Sequence, residues 1–173
     1  GEALMLAQIL RPSLPIVLID RKIPEFAASS VFADNRSGAY HAVEHLLALG
    51  HRRIACVTHD GYISSVEDRV RGYEQAMREA GLVPFAAVSI VRREPTLEGQ
   101  PPTYSDEDME PVDQLLRSQD RPTALFCIND FIALGVMRHV LHRGLRVPQD
   151  IAIVGFDDIP LAPFMPVPLT TVV

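Results

Sequence analysis

The chain has 173 residues, 47% hydrophobic and 22% charged, with a formal net charge of -6, which is enough for one well-cored domain, or one lobe and part of another, but not for two full domains. Its apolar runs are of strand length, far below the roughly 20 residues of a membrane span, so no membrane segment is expected. No Lys/Arg cluster exceeds pairs such as Arg52-Arg53 and Arg92-Arg93, which excludes a segment that grips a nucleic-acid backbone by itself, because neutralising phosphates needs a basic face.

Gly1 to Ala7 carries no basic stretch and no cleavage signature, so it does not read as a secretory signal. From Glu2 to Leu10 the apolar spacing suits the last turns of a helix, which Pro12 and Pro15 stop. The run Ile16 to Ile19 predicts a strand ending at Asp20, and Ser30 to Ala33 a second ending at Asp34-Asn35. Ser37 can then cap a helix over Gly38 to Leu49, closed by Gly50. Arg53 to Thr58 reads as a strand, Val66 to Ala80 as a helix closed by Gly81, and Ala87 to Val91 as a strand. Arg92 to Asp108, with Pro95, Gly99, Pro101 and Pro102, reads as a long exposed loop. Beyond it come a helix over Glu107 to Arg117, a strand over Thr123 to Ile128, a helix over Phe131 to Arg143 closed by Gly144, and a strand over Ile151 to Phe156. Strands alternating with helices of about 10 to 15 residues read as βαβ units and predict a doubly wound parallel α/β sheet. Cys56 and Cys127 each fall inside an apolar strand and read as small core residues in a reducing compartment.

In such a sheet ligands bind outside the carboxyl ends of the strands. Three strand-end loops carry polar groups there: His59 to Arg69, Asn129-Asp130 and Asp157-Asp158. Arg69 has a planar fork able to hold two oxygens. With Asn129 and Asp157 it forms a hydrogen-bonding set suited to a polyhydroxylated ligand. Asp130 and Asp158 are expected to cap helices, while Asn129 and Asp157, which precede them, are the better ligand candidates. The alternative for Arg69 is a surface pair with Glu67 or Asp68.

His41-Ala42-Val43-Glu44-His45 matches an H-x-x-E-H zinc pattern, but the helix needs Val43, Leu46 and Leu47 for its core face and no third ligand follows, so no metal is expected. His139 and His142 are placed on a solvated helix face. Ser64 or Ser65 with His59 and Asp60 would make a nucleophile and base, yet no G-x-S-x-G elbow surrounds them. Neither G-x-G-x-x-G nor a phosphate-cradling G-x-x-x-x-G-K occurs. These readings argue against an enzyme and imply no cofactor.

Taken together, the chain resembles the effector-binding core of the LacI/GalR (lactose-repressor) family of transcription regulators. The resemblance rests on Pro15-Ile16-Val17-Leu18-Ile19-Asp20-Arg21, Asp34-Asn35 with Gly38-Ala39, and Val43 to Ala55. It continues in Arg69 with Gly72-Tyr73, Pro122 to Asp130 with Ala133-Leu134-Gly135, Val147 to Ile151, Val154 to Ile159 and Pro168 to Val172. It implies a periplasmic-sugar-binding-protein-like fold whose two lobes clamp a small carbohydrate or nucleoside-like effector. Residues 1–36 would be a remnant of the first lobe with its crossover, 37–160 the second lobe, and 161–173 the returning crossover and a dimer-interface segment. In the resemblance Arg69, Asn129 and Asp157 contact the effector, with Ser37 as a further contact. Phe131, Met165, Val167 and Leu169 fall at a homodimer interface. The family's helix-turn-helix headpiece is absent from this sequence, so operator DNA would be reached only through a headpiece outside it, in a cytoplasmic repressor. The alternative is an exported sugar-binding protein of the same fold. The Arg92 to Asp108 loop departs from the family pattern, so no stacking aromatic is assigned, although Tyr104 is available. With part of a lobe missing, apolar sheet edges are expected to be exposed and the isolated chain poorly soluble.

Overall fold

The computed structural model describes residues 16–20, 28–60, 63–91 and 103–173. The helix expected over Glu2 to Leu10 and the Pro-rich part of the loop after Val91 lie outside them. Two short strands, β1 (Val17–Ile19) and β2 (Ser29–Val31), pair in parallel with Val17 opposite Ser29. Five more, β3 (Ile54–His59), β4 (Val88–Ile90), β5 (Ala124–Cys127), β6 (Ala152–Phe156) and β7 (Thr170–Val172), form a second, wholly parallel sheet in the order β4-β3-β5-β6-β7. The helices are α1 (Asn35–Ala48), α2 (Ser64–Glu79), α3 (Glu110–Arg117) and α4 (Asp130–His142), with a 3-10 turn over Ala162–Phe164.

Every residue of β3, β5 and β6 is buried. That is why these strands read as continuous apolar runs rather than alternating ones, since a parallel sheet is covered on both faces. From β3 the chain steps outward to β4, then returns past β3 to β5 and continues to β6 and β7. Right-handed crossovers therefore put α2 on one face and α3 and α4 on the other. The reversal lies between β3 and β5. The Tyr73 hydroxyl, on α2, donates to the carbonyls of Ile54 (2.9 Å) and Phe85 (3.3 Å), tying helix to sheet through its one polar atom.

Several local expectations change. Asp34, not Ser37, caps α1, its carboxylate accepting from the Ser37 backbone N–H at 3.1 Å. At α4 the cap expected of Asp130 is supplied by Asn129. The Asn129 side-chain oxygen caps α4 by accepting from the Ile132 N–H at 2.8 Å, while Asp130 is 0% exposed and accepts from the Thr171 hydroxyl at 2.6 Å and the Ile159 N–H at 3.0 Å. Those bonds hold β7, a strand the sequence did not disclose, beside β6. In the register of β6 and β7, Gly155 lies opposite Thr171, and a Cβ at Gly155 would run into the Asp130 carboxylate. Met165, expected at a dimer interface, is buried in the core, and its neighbour Phe164 is the exposed side chain. Tyr104 is also buried, over Gly135, and so is no stacking platform for a ligand.

His139 is not solvated. It is buried with Asp113 of α3, its Nε2 2.9 Å from Asp113 Oδ1 and placed to donate to it, and Arg143 bonds the other carboxylate oxygen. The apolar face of α4 is wide enough that its flank, too, meets a helix, and a polar side chain trapped there needs a partner. Among the described residues no helix is long and apolar enough to cross a membrane. Val17, Ile19 and Val31 on the small sheet are exposed at 59%, 79% and 61%.

Burial alone would raise the Asp113 carboxyl pKa, but the His139 hydrogen bond and the charges of His139, Arg143 and Arg117 outweigh it and hold the group below the ordinary carboxylate value. A carboxyl lowered on folding contributes stability above its unfolded pKa that is lost as pH falls through the folded one. Asp113→Asn is therefore predicted to lower stability at pH 7 by about 1–3 kcal/mol and to flatten the acid side of the stability–pH curve, as measured by urea unfolding at several pH values.

Candidate functional site

At the carboxyl ends of β1, β6 and β7 lies a crevice of about 620 Å³. It is lined by Asp34, Ser37 and His41 at the N-terminal part of α1, by Phe156, Asp157 and Val172 at the ends of β6 and β7, by Asp20 after β1, and by Arg69 as its floor. Position outside the strand ends follows from the parallel topology, which brings every loop after a strand to one edge.

Arg69 organises the floor. It stands in the second turn of α2 and is only 7% exposed. Its Nε donates to Asn35 Oδ1 at 2.7 Å. Nη1 donates to the Ile128 carbonyl at 2.6 Å and lies 2.9 Å from Asp157 Oδ1, while Nη2 stands 4.0 Å from Asp20 Oδ2. The guanidinium carbon sits 3.7 Å above the centre of the Phe156 ring, a cation–π placement that favours the charge. A buried cation needs this density of partners, because leaving it unpaired costs several kcal/mol. The surface pairing considered for Arg69 belongs to Arg71, which meets Glu67 and Asp68 at 3.4 and 3.6 Å.

Asn35 carries the network onward. Buried at the start of α1, it donates from Nδ2 to Asp20 Oδ1 at 2.7 Å and to the Ala33 carbonyl at 3.1 Å. Asp20 at the end of the small sheet and Asp157 at the end of the large one are thus joined through Arg69 and Asn35.

Among the described residues, the non-glycine positions with positive φ are Asp20 (50°), Asp157 (104°) and Asp158 (46°). All three follow strand ends at or beside the crevice. Such conformations cost about 1–3 kcal/mol each and persist where the surroundings hold them; here the Asp157 N–H is held by the Val172 carbonyl at 3.0 Å. Burial raises the Asp157 carboxyl above its ordinary pKa, and the neighbouring charges of Asp130 and Asp20 add to that, against the opposing pull of Arg69. Aspartate placed there works against folding stability and presents acceptor oxygens to the crevice.

Of the residues singled out in the sequence, the structure brings Arg69, Asp157 and Ser37 to one crevice. Asn129 is not on its lining; its oxygen caps α4, and its neighbour Ile128 supplies the carbonyl that Arg69 takes. Phe131, Val167 and Leu169 are half-buried, around α4 and the segment before β7. Sequence reasoning missed Asp20, Asn35 and His41. The first two were recognised as strand ends, but belonged to a sheet that was not counted with the other three loops. His59, in the grouping weighed as a base, has its Nδ1 2.7 Å from the Asp60 carbonyl, and Ser64 and Ser65 are buried in the first turn of α2. Among the described residues no three His, Cys, Asp or Glu side chains are grouped to hold a metal. Carboxylates, a guanidinium and a hydroxyl lining an open crevice offer hydrogen-bond acceptors and donors of the kind that complement hydroxyl groups.

Residues 43–173 match the family model described as a periplasmic binding protein-like domain. The chain is 36% identical over 167 residues to the HTH-type transcriptional regulator DegA of Bacillus subtilis, covering 96% of this chain and 47% of that protein. It is 34% identical over 173 residues to the ribose operon repressor of Haemophilus influenzae, covering 99% of this chain and 49% of that one. Among solved structures, a LacI family transcriptional regulator from Enterococcus faecium with bound ribose superposes with a TM-score of 0.72 at 27% identity, covering 91% of this chain and 55% of that one. The chain thus spans about half the length of the curated relatives it matches.

The raised Asp157 carboxyl gives a stability prediction of definite sign. A group whose folded pKa lies above its unfolded one stabilises the fold below the unfolded pKa and loses that contribution as pH rises through the folded one. Asp157→Asn keeps the shape, removes the charge and tolerates the positive φ. Thermal unfolding at pH 7 should show the variant at least as stable as the parent, by roughly a few tenths of a kcal/mol because the 39% exposed side chain is screened by solvent. Arg69→Ala should instead lose about 3 kcal/mol, leaving buried acceptors without their donor.

Proposed function

The chain belongs to the periplasmic-binding-protein-like domain family in its LacI-type regulator branch, and from that premise we propose that it is the effector-sensing region of a DNA-binding transcriptional regulator, a repressor responding to a small sugar or nucleoside-like ligand. The observation that carries this reading is the Arg69 network, which reaches Asp20 on one sheet and Asp157 on the other. A ligand bound between those carboxylates touches both sheets and favours whichever relative arrangement lets it contact both. By linkage, that preference is a change in affinity for any partner that reads the same arrangement. Operator DNA is that partner, contacted through a headpiece outside these residues, in a cytoplasmic homodimer. The edge position of β7 and the exposed Phe164 beside it support self-association there, with Phe131, Val167 and Leu169 at its margin.

Ribose in the E. faecium relative and the ribose operon repressor of H. influenzae favour a pentose or a pentose-bearing ligand for this crevice. Regulators among the relatives favour this reading over an exported binding protein and over an enzyme. Calorimetry with pentoses and nucleosides, followed by DNA binding with and without the ligand found, tests it. Asp157→Ala and Arg69→Ala in the full-length protein, headpiece included, are expected to bind operator as its parent does while losing at least about a tenfold ligand-dependent change, the lower range of allosteric coupling. Asp157→Asn serves as the variant whose fold is not in question. An undiminished response in all three would overturn the assignment of the site.

A further inference from the structure

We propose that the crevice selects neutral, hydroxyl-rich ligands against their phosphate esters, with Asp20 and Asp34 as the specificity-determining residues. This rests on the reading of the crevice as an effector site and adds the charge class of what enters it.

The described lining presents three carboxylates, Asp20, Asp34 and Asp157, against one guanidinium and the His41 imidazole. That guanidinium is largely committed. Nε is taken by Asn35 and Nη1 by the Ile128 carbonyl and Asp157, so the two-pronged face that would grip a phosphate is occupied by groups of the protein itself. The remaining nitrogen, Nη2, lies 4.0 Å from the Asp20 carboxylate, and an anion reaching it would be set beside that like charge.

The other ready anion site, the N-terminus of α1, is filled as well. Asp34 caps it from the chain, accepting from the Ser37 N–H at 3.1 Å. That bond holds the Asp34 carboxyl below its ordinary pKa, so the position carries a negative charge at neutral pH. A sugar hydroxyl meets the opposite situation: it donates to any of the three carboxylates and accepts from Nη2. Like-charge juxtaposition at a binding site weighs heavily against the wrong ligand.

Calorimetry on the full chain with matched pairs tests this: D-ribose against ribose 5-phosphate, a ribonucleoside against its 5′-monophosphate, and inorganic phosphate alone. The neutral member of any pair that binds is expected to be tighter by about 100-fold or more, and inorganic phosphate should give no saturable heat. Asp34→Asn, which retains a capping side chain, and Asp20→Asn should each narrow the gap within a pair by about tenfold, the affinity for the ester rising relative to that for its neutral partner. Equal or tighter binding of the ester, or saturable phosphate binding that Arg69→Lys abolishes, overturns the charge rule and leaves the effector site standing. Silence from every neutral sugar and nucleoside overturns the effector reading itself, and this inference with it.

Discussion

A guanidinium buried at 7% exposure is the constraint around which the rest of the site is arranged. A charge taken from water must be returned its lost hydration by fixed dipoles and counter-charges, or the fold loses several kcal/mol. Arg69 receives it from five directions: an amide oxygen, a backbone carbonyl, two carboxylates of unequal distance and an aromatic face. These partners come from four places in the chain, with Phe156 and Asp157 both at the end of β6. The requirement to satisfy one side chain thereby fixes the ends of β1, β5 and β6 and the start of α1 relative to α2.

The same economy of partners appears on the opposite face of β6, where it serves stability alone. Asp130 is fully buried, binds the Thr171 hydroxyl and the Ile159 N–H, and needs Gly155 to leave it room. Asp113 plays a comparable part between α3 and α4, with His139 and Arg143. Asp157 differs from both. Its backbone is held at positive φ, its carboxyl pKa is raised and its side chain remains open to the crevice. A residue that strains the backbone and opposes its own ionisation, while facing solvent, fits a role in binding better than one in holding the fold.

The legible part of the sequence was the part governed by periodicity. Buried parallel strands announce themselves as apolar runs, and helices over Val66 to Ala80 and Phe131 to Arg143 differ from the observed α2 and α4 by one or two residues at each end. Asp157 was singled out as a polar residue at a strand end, and Arg69, which stands on α2, because the loop before it leaves the same sheet edge. What failed was governed by tertiary partners. Thr170-Thr171-Val172 follows a Pro-rich stretch and becomes a strand because Asp130, distant in sequence, holds Thr171. Asn129 and Asp130 are adjacent polar residues with exchangeable local roles, and only the approach of β7 decides which is cap and which is buried. His139 looked solvated because α3 is short, and its acid at Asp113 carries no mark of facing inward. The family resemblance narrowed a polyhydroxylated ligand to a carbohydrate or nucleoside-like one and supplied the pairing of lobes, which the residues alone would not give. Asn35 was passed over because it read only as the end of a strand in the small sheet, and its bonds to Asp20 and Arg69 join residues far apart in sequence.

The central claim is that one buried arginine links two strand-end carboxylates into a ligand site. A crystal structure of the full chain with the tightest neutral ligand from the calorimetric panel tests it most directly. The account predicts ligand oxygens within about 3 Å of Arg69 Nη2 and of the Asp20 or Asp157 carboxylate, with the Arg69 bonds to Asn35 and Ile128 retained. A ligand seated away from this crevice, or one reached only after Arg69 swings out of its cradle, would contradict it.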